Sequence, residues 1–212
     1  MKYYTICLLS LPLRQTIVVG GGNVAARKID GLLAAGAHIN VISPAITPEL
    51  RSLVDSNSIN YHPRPYQDGD LDGAFLVIAA TNNSTVNQAV WSEAERCGCL
   101  INVVDDPLHS NFILPAVVQR DELSIAISTG GSSPALARRL RERMENLIGP
   151  EYGQLAGLLA DLRPELLANF PAGEARVQAA LRVVDSDILN IIQSQGRDAA
   201  LTYGREKLHQ QE

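Results

Sequence analysis

The sequence predicts an α/β protein with a doubly wound parallel sheet, followed by a small segment of two strands plus a helix and by a helical C-terminal region. Up to about residue 112, short apolar strands alternate with helical segments, which is the pattern of a parallel sheet. Two strands then follow each other without a crossover helix, and from Glu151 onward the apolar residues keep helical spacing. We therefore expect domains at residues 1–112, 113–148 and 149–212.

The first half of the chain supplies the strands and helices of the sheet. "TIVVG" is a β-branched run typical of a strand, and the helix after it is predicted to end at Gly36. Thr47 and Pro48 are residue types preferred at the cap and first position of a second, short helix. "AFLVIAAT" is apolar almost throughout, as expected for a strand buried on both faces. The other elements are the strands "AHINVIS", "INYHPRPY" (an edge strand, because prolines cannot donate to a ladder) and "LINVVDD", and the helix "STVNQAVWSEAERCG".

The pattern of the second half differs. "FILPAVVQRDELSIAIST" reads as two strands around the polar turn Arg120–Glu122, so we expect an antiparallel pair outside the parallel sheet. "GGSSPALARRLRERMENLIG" follows, with Ser133 as the N-cap and Pro134 as the first residue of a basic helix. The remaining chain is predicted to be helical, with breaks near Pro164, Pro171–Gly173, Asp185 and Gly196.

Composition limits the classes of protein to consider. Of the 212 residues, 46% are apolar and 19% are charged, which suits a packed core rather than a disordered chain. The net charge of −5 argues against a general nucleic-acid binder. No apolar run reaches the roughly 18–20 residues that a membrane-spanning helix needs.

The cysteines and the N-terminus favour a reducing cytoplasm. Cys7, Cys97 and Cys99 are an odd set without a second Cys/His pair nearby, so we interpret them as core or loop residues and predict no metal site. The N-terminal "MKYYTICLLSLPLR" lacks a clear small-x-small cleavage site, and the first strand starts directly after Arg14. We therefore expect no cleaved signal peptide and a cytoplasmic protein.

The stretch "TIVVGGGNVAARKI" is the first candidate site. A strand, a glycine turn and a helix N-terminus together offer unpaired N–H groups and a partial positive charge to a phosphate. Gly20, Gly22 and Ala25 fit the pattern G-x-G-x-x-A, in which the residues allow a tight turn, close approach of a pyrophosphate and close helix–strand packing, respectively. Because the motif follows the first strand of a βαβ unit, it predicts a Rossmann-type dinucleotide site.

The end of the second strand does not decide between NAD and NADP. An Asp or Glu there would favour the ribose hydroxyl of NAD, and an arginine would favour the phosphate of NADP. The chain has Ser43 followed by Pro44, and Arg51 lies too far along the chain from the end of the second strand to serve as that arginine. The residues alone therefore leave the cofactor choice open.

Polar residues also end the fourth and fifth strands, at the edge of the sheet where ligands bind. Thr81 is placed to contact the cofactor. Asp105 is placed for proton transfer, and partial burial would make it a better base. Asp106 precedes Pro107 and is expected to cap the turn, and His109 is the rival base.

"STGGSSP" repeats the logic of a glycine turn before a helix N-terminus and predicts a second anion site. Four arginines follow on the helix, and we expect two of them to be solvated partners of Glu142 and Glu145. With the turn, the cluster suggests a substrate or partner rich in carboxylates. The candidate substrate-binding residues are Gly130, Gly131, Ser132, Ser133, Arg138 and Arg139.

These segments resemble a known family. "VVGGGNVAARKIDGLLAAGA", "FLVIAATNN", "INVVDDP", "FILPAVVQR" and "AISTGGSSPALARRLRERME" are similar to the precorrin-2 dehydrogenases of sirohaem synthesis, which occur alone or as the N-terminal part of multifunctional sirohaem synthase. The resemblance covers roughly residues 1–150 in order and with family spacing. It implies NAD-dependent oxidation of precorrin-2 to sirohydrochlorin, and in some members insertion of ferrous iron to give sirohaem.

The resemblance also implies roles for single residues. The family's catalytic aspartate falls on Asp105, and its cofactor contacts fall on Asn23, Val24, Pro44 and Ala45. The family often has an acidic residue where this chain has Asn23, which bears on the cofactor contacts there. The members of the family are homodimers built through the middle segment. Their substrate, precorrin-2, carries many carboxylates, which suits the second glycine turn and the arginines after it.

Two other interpretations of the sequence stay open. The chain could be a non-catalytic NAD-sensing regulatory module, or an interaction protein with a decayed site.

Overall fold

The computed structural model describes residues 4–210. The chain divides after Leu114 into two compact units. The predicted boundaries at residues 112 and 148 stay a prediction.

The first unit contains a five-stranded parallel sheet with three helices, which confirms the predicted doubly wound fold. The strands are β1 Gln15–Val19, β2 His38–Ile42, β3 Asn60–His62, β4 Leu76–Ala79 and β5 Leu100–Val103, and the helices are α1 Asn23–Ala34, α2 Pro48–Asp55 and α3 Ser84–Cys97. Short 3₁₀ turns occupy Leu11–Leu13 and Pro107–His109. The strand order is β3-β2-β1-β4-β5, so the weak strand "INYHPRPY" lies at an edge as predicted.

The sheet is covered on both faces by apolar side chains. Ile29 of α1 and Leu50 of α2 pack in one cluster with Val18 of β1. Val90 of α3 packs in the other cluster with Val77 of β4. The chain therefore builds the sheet outward from β1, first through β2 and β3 on one side and then through β4 and β5 on the other. Sheets of this kind bind ligands in the crevice between the carboxyl ends of the two strands where the order reverses, here β1 and β4.

The second unit begins with an antiparallel pair of strands, also as predicted. Its helical part has a core of its own, in which Leu158, Ile188 and Leu208 are fully buried or nearly so. None of the helices among residues 4–210 is long and apolar enough to cross a membrane. The elements are β6 Ala116–Arg120, β7 Leu123–Ile127, α4 Pro134–Leu147, α5 Pro150–Asn169, α6 Glu174–Val184, α7 Ile188–Gln195 and α8 Arg197–His209.

The predicted helix break at Pro164 is wrong, because α5 runs through it. Proline removes one backbone hydrogen bond from a helix interior. Leu158 and Leu162, which precede the proline on α5, are buried in the core of the unit, and this packing outweighs the local cost. The other three predicted breaks are confirmed by the ends of α5, α6 and α7.

Candidate functional site

The first two glycines of the turn between β1 and α1 are required by packing within the protein. Gly20 has a φ of 120°, and a Cβ there would lie 2.3 Å from the carbonyl oxygen of Ala80, which follows β4. A Cβ on Gly21 would lie 2.2 Å from the carbonyl oxygen of Ala45. The backbone N–H of Thr47 donates to Gly21 O at 2.9 Å, so the loop after β2 is locked to the glycine turn.

The third glycine has no such reason to be glycine. Gly22 is the N-cap of α1 with a φ of −86°, which any residue adopts, and a Cβ there would meet no described atom within 4 Å. No side chain among residues 4–210 caps this helix N-terminus. Asn23 is exposed and Ala25 is fully buried against the sheet. The turn thus leaves open space beside the amides at the N-terminus of α1, and these residues fit a dinucleotide pyrophosphate.

The loop after β2 borders this cradle. Ser43 is almost fully buried, and its hydroxyl donates to the carbonyl oxygen of Ala45 at 2.7 Å. Ser43 therefore shapes the loop, whereas Pro44 and Ala45 are exposed and accessible to a ligand. Val24 is half-buried in the first turn of α1. The cofactor contacts of these residues stay predictions.

Thr81 lies against the glycine turn, but its hydroxyl is occupied by its own loop. The Thr81 Oγ1 donates to Asn87 Oδ1 at 2.7 Å and accepts from the backbone N–H of Asn83 at 3.1 Å. Asn83 in turn caps α3 through its side-chain oxygen. Thr81 therefore holds the β4–α3 connection in shape, and any contact with the cofactor would come through its backbone or methyl group.

Asp105 lies two residues beyond β5 in a left-handed conformation, with a φ of 60°. Its neighbours are both fixed, since Val104 N donates to Ala79 O at 2.9 Å and Asp106 N donates to Val103 O at 3.1 Å. The side chain of Asp105 is exposed, so the expected partial burial is wrong. The turn follows the last strand of the sheet and projects its carboxylate into solvent at the ligand edge.

Asp106 caps the turn, as predicted. Its Oδ1 accepts from the backbone N–H groups of Leu108 and His109, and its Oδ2 lies 2.6 Å from His109 Nδ1. These hydrogen bonds hold the pKa of Asp106 below its usual range, and the bond with the His109 side chain has the largest effect. The His109 ring packs edge-on against Trp91 of α3 at 4.7 Å. One ring nitrogen of the rival base is therefore committed to Asp106.

Lys28, which the sequence patterns did not single out, lies near Asp105. It lies on α1, is half-buried and is close enough to Asp105 for their charges to interact. Burial lowers the pKa of Lys28, Arg27 lowers it further, and Asp105 raises it. A helical period from Val24 puts Lys28 on the same side of α1, and this spacing is the signal that could have pointed to it.

The second glycine turn is more self-contained than the first. Gly130 and Gly131 both have positive φ, at 62° and 84°. The backbone N–H groups of Gly130, Ser132 and Ser133 all donate within the turn, and the Ser133 hydroxyl accepts from Leu136 N at 3.2 Å. Few amides are left for a ligand, so anion binding here stays a prediction with weaker support than at α1.

Three of the four arginines of α4 pair with glutamates of the same helix. Arg138 Nε and Arg139 Nη1 each lie 3.1 Å from Glu142, and Arg141 pairs with Glu145. Arg138, and then Arg139, hold the pKa of Glu142 below its usual range. Both arginines remain largely exposed, so these ion pairs are weak and open to exchange.

One cluster outside this edge has the residue types of a metal site. Ligand atoms of Asp72, Glu93 and Cys97 lie within 4.8 Å of one another. The buried Glu93 already accepts the N–H groups of Gly69 and Leu71 at 3.0 Å, together with the Tyr66 hydroxyl. Its carboxylate therefore anchors the loop before β4, and we assign it a structural role.

Fold and cradle together define a dinucleotide-binding protein of the Rossmann type, and comparison with known proteins supports a nicotinamide cofactor. Residues 7–116 match the family model described as putative NAD(P)-binding, and residues 120–147 match the one described as sirohaem biosynthesis protein central. The chain belongs to the precorrin-2 dehydrogenase and sirohaem synthase N-terminal domain family, as the sequence predicted.

Individual relatives support this membership. The chain is 39% identical to siroheme synthase of Chromobacterium violaceum, over 98% of its own length and 44% of that protein. It is 40% identical to siroheme synthase 1 of Aeromonas salmonicida, over 88% of its own length and 40% of that protein. It thus spans less than half the length of these relatives. Among solved structures it resembles SirC, precorrin-2 dehydrogenase, with a TM-score of 0.76 and 26% identity, over 96% of this chain and 100% of that one.

Proposed function

We propose that this chain oxidises precorrin-2 to sirohydrochlorin with NAD, as a step of sirohaem biosynthesis. The observation that carries the proposal is the cradle at Gly22, where a glycine without any packing reason borders open space at a helix N-terminus. The likeness to SirC, which extends over all of that chain, supports precorrin-2 as the substrate.

The oxidation removes a hydride and a proton from precorrin-2. NAD, when bound, supplies the hydride acceptor. The amides at Gly22 and Asn23 would hold its pyrophosphate, and Pro44 and Ala45, which are exposed on the neighbouring loop, would contact its adenosine part. Asp105 accepts the proton, because its turn holds a carboxylate at the ligand edge. His109 stays the rival base, since its Nδ1 lies 2.6 Å from Asp106 and its Nε2 is left for proton transfer.

NAD is preferred to NADP in this proposal. The end of β2 offers Ser43, Pro44 and Ala45 and no cation that would bind an additional phosphate. Arg51, on α2, lies over the ring of Tyr61 at 5.2 Å and is engaged in that contact. Isothermal titration with each cofactor tests this preference, and tighter binding of NADP would overturn it.

A cytoplasmic homodimer built through the middle segment completes the proposal. Val117 of β6 and Leu136 and Leu147 of α4 are 40%, 51% and 65% exposed, which leaves apolar area for a second copy to cover. The two-stranded sheet also has open edges. Light scattering at micromolar concentration should give the mass of a dimer, and a monomer would contradict it.

Purified protein, precorrin-2 and NAD test the function directly. We expect the absorbance of sirohydrochlorin and of NADH to rise together, in equal amounts. A chain that binds NAD but never oxidises precorrin-2 would instead be a sensing module. Adding ferrous iron as a further substrate then asks whether the same chain also gives sirohaem.

A further inference from the structure

Helix α1 carries two adjacent cations in different surroundings. Arg27 is exposed and lines an open groove of about 600 Å³ together with Asn23, Glu49 and Ser52. Lys28 lies about 100° further around the helix and is half-buried. The two side chains therefore serve different parts of the surface.

Lys28 is a half-buried charge without a paired anion. Among residues 4–210 it makes no hydrogen bond and no ion pair within 4.0 Å. A buried charge is costly unless an opposite charge or a hydrogen-bond acceptor compensates it. Arg27 beside it adds repulsion, and the exposed Asp105 is the nearby carboxylate whose charge it feels.

The geometry of α1 brings this ammonium toward the ligand edge. Lys28 comes five residues after Asn23, or roughly 7.5 Å along the axis, and helical side chains lean toward the N-terminus. Val104, which precedes Asp105, packs on the same apolar cluster as Ile29, the residue after Lys28 on α1.

We propose that Lys28 is a binding residue for a carboxylate of the tetrapyrrole substrate, beside Asp105. This inference rests on the proposed function. The pyrophosphate has its own donors in the amides of the α1 N-terminus, which leaves the lysine available to another anion. Precorrin-2 is rich in carboxylates, and an ion pair to one of them would fix the macrocycle against Asp105.

Variants of the full chain separate this role from neighbouring ones. Lys28→Met keeps the side-chain length and loses the charge, and Lys28→Arg keeps the charge. Arg27→Met is the matched control, because it removes the adjacent charge of α1, which lies in different surroundings. A charge-assisted contact of about 1.5 kcal/mol corresponds to roughly tenfold in affinity. We expect Lys28→Met to raise KM for precorrin-2 about tenfold with kcat within about threefold, Lys28→Arg to stay near wild type, and Arg27→Met to leave KM for precorrin-2 unchanged.

Binding without turnover gives the second readout. Sirohydrochlorin should bind Lys28→Met about tenfold more weakly, followed by its visible absorbance, while NAD affinity stays that of the wild type. Unchanged sirohydrochlorin affinity in a folded Lys28→Met protein would overturn the inference and leave the proposed function standing. A wild-type chain that binds sirohydrochlorin through Lys28 but does not oxidise precorrin-2 would support the role of Lys28 and overturn the proposed function. Equal losses for NAD and sirohydrochlorin would also overturn it, because they indicate a structural lysine.

Discussion

The carbonyl oxygen of Ala80 lies 2.3 Å from the position that a Cβ on Gly20 would take. The glycine turn is therefore packed directly against the end of β4, at the crevice where the strand order changes direction. Gly22, two residues on, faces open space instead. The same motif thus contains one glycine that the fold needs and one that no packing contact requires.

Gly22→Asp should abolish NAD binding and leave the protein folded. The new carboxylate would occupy the cradle and repel the pyrophosphate, while the backbone at φ −86° accepts any residue. Calorimetry measures the affinity and circular dichroism the fold. Gly20→Ala is the contrast, since its Cβ meets backbone and should cost stability first. Wild-type NAD affinity in a folded Gly22→Asp protein would disprove the cradle.

Glu93→Ala should destabilise the first unit by roughly 2–4 kcal/mol. The change leaves the buried N–H of Leu71 and the Tyr66 hydroxyl without their acceptor. Burial and then Glu93 raise the pKa of Tyr66, so its hydroxyl stays a donor. Urea denaturation measures the loss, and Glu93→Gln, which keeps one acceptor oxygen, should lose less. A cost below about 0.5 kcal/mol for Glu93→Ala would show that Glu93 is not the anchor.

The Asp106–His109 contact should survive mild acid. Because the folded pKa of Asp106 is lowered, its contribution is present above the unfolded pKa and is lost as pH falls through the folded one. Trp91, the one tryptophan of the sequence, packs on His109, so its fluorescence reports the contact. We expect a step in fluorescence below the usual carboxyl range. The Asp106→Asn protein should lack this step, and a step unchanged by that substitution would refute the assignment.

Loss of Arg138 or Arg139 should weaken precorrin-2 binding about tenfold and leave NAD binding unchanged, because carboxylate contacts are charge-assisted. In the free protein both arginines pair with Glu142, and a substrate carboxylate would exchange with that exposed pair. Added salt should weaken substrate binding in the same direction. Arg141→Ala, whose arginine pairs with Glu145, is the control. Equal losses of precorrin-2 and NAD binding would point to a structural helix.

Local signals in the sequence were sufficient for most of the fold and for the cradle. Thr47, Ser133 and Gly22 lie at helix starts because caps depend on a few neighbouring residues. Tertiary effects were not accessible in this way. Packing of α5 keeps the helix continuous through Pro164, where the sequence predicts a break. The exposure of Asp105 depends on a turn with a positive φ, which no sequence pattern predicts.

The same limit applies to charges. Glu142 lies one helical turn from both Arg138 and Arg139, so the sequence predicts an ion pair there. It does not predict which two of the four arginines pair with Glu142. Lys28 looks like one more solvated lysine in the sequence. Only the position of β5 and its turn brings Asp105 near it.

The dehydrogenase rate of Asp105→Ala with precorrin-2 and NAD tests the central claim most directly. Asp105 is exposed and makes no structural hydrogen bond through its side chain among residues 4–210, so its loss should leave the fold and NAD affinity intact. Removing a general base typically slows a reaction by about 10²–10⁴-fold. We predict a loss of that size for Asp105→Ala, with His109→Ala retaining most of the activity. A fully active Asp105→Ala protein, or an inactive His109→Ala protein, would contradict the account.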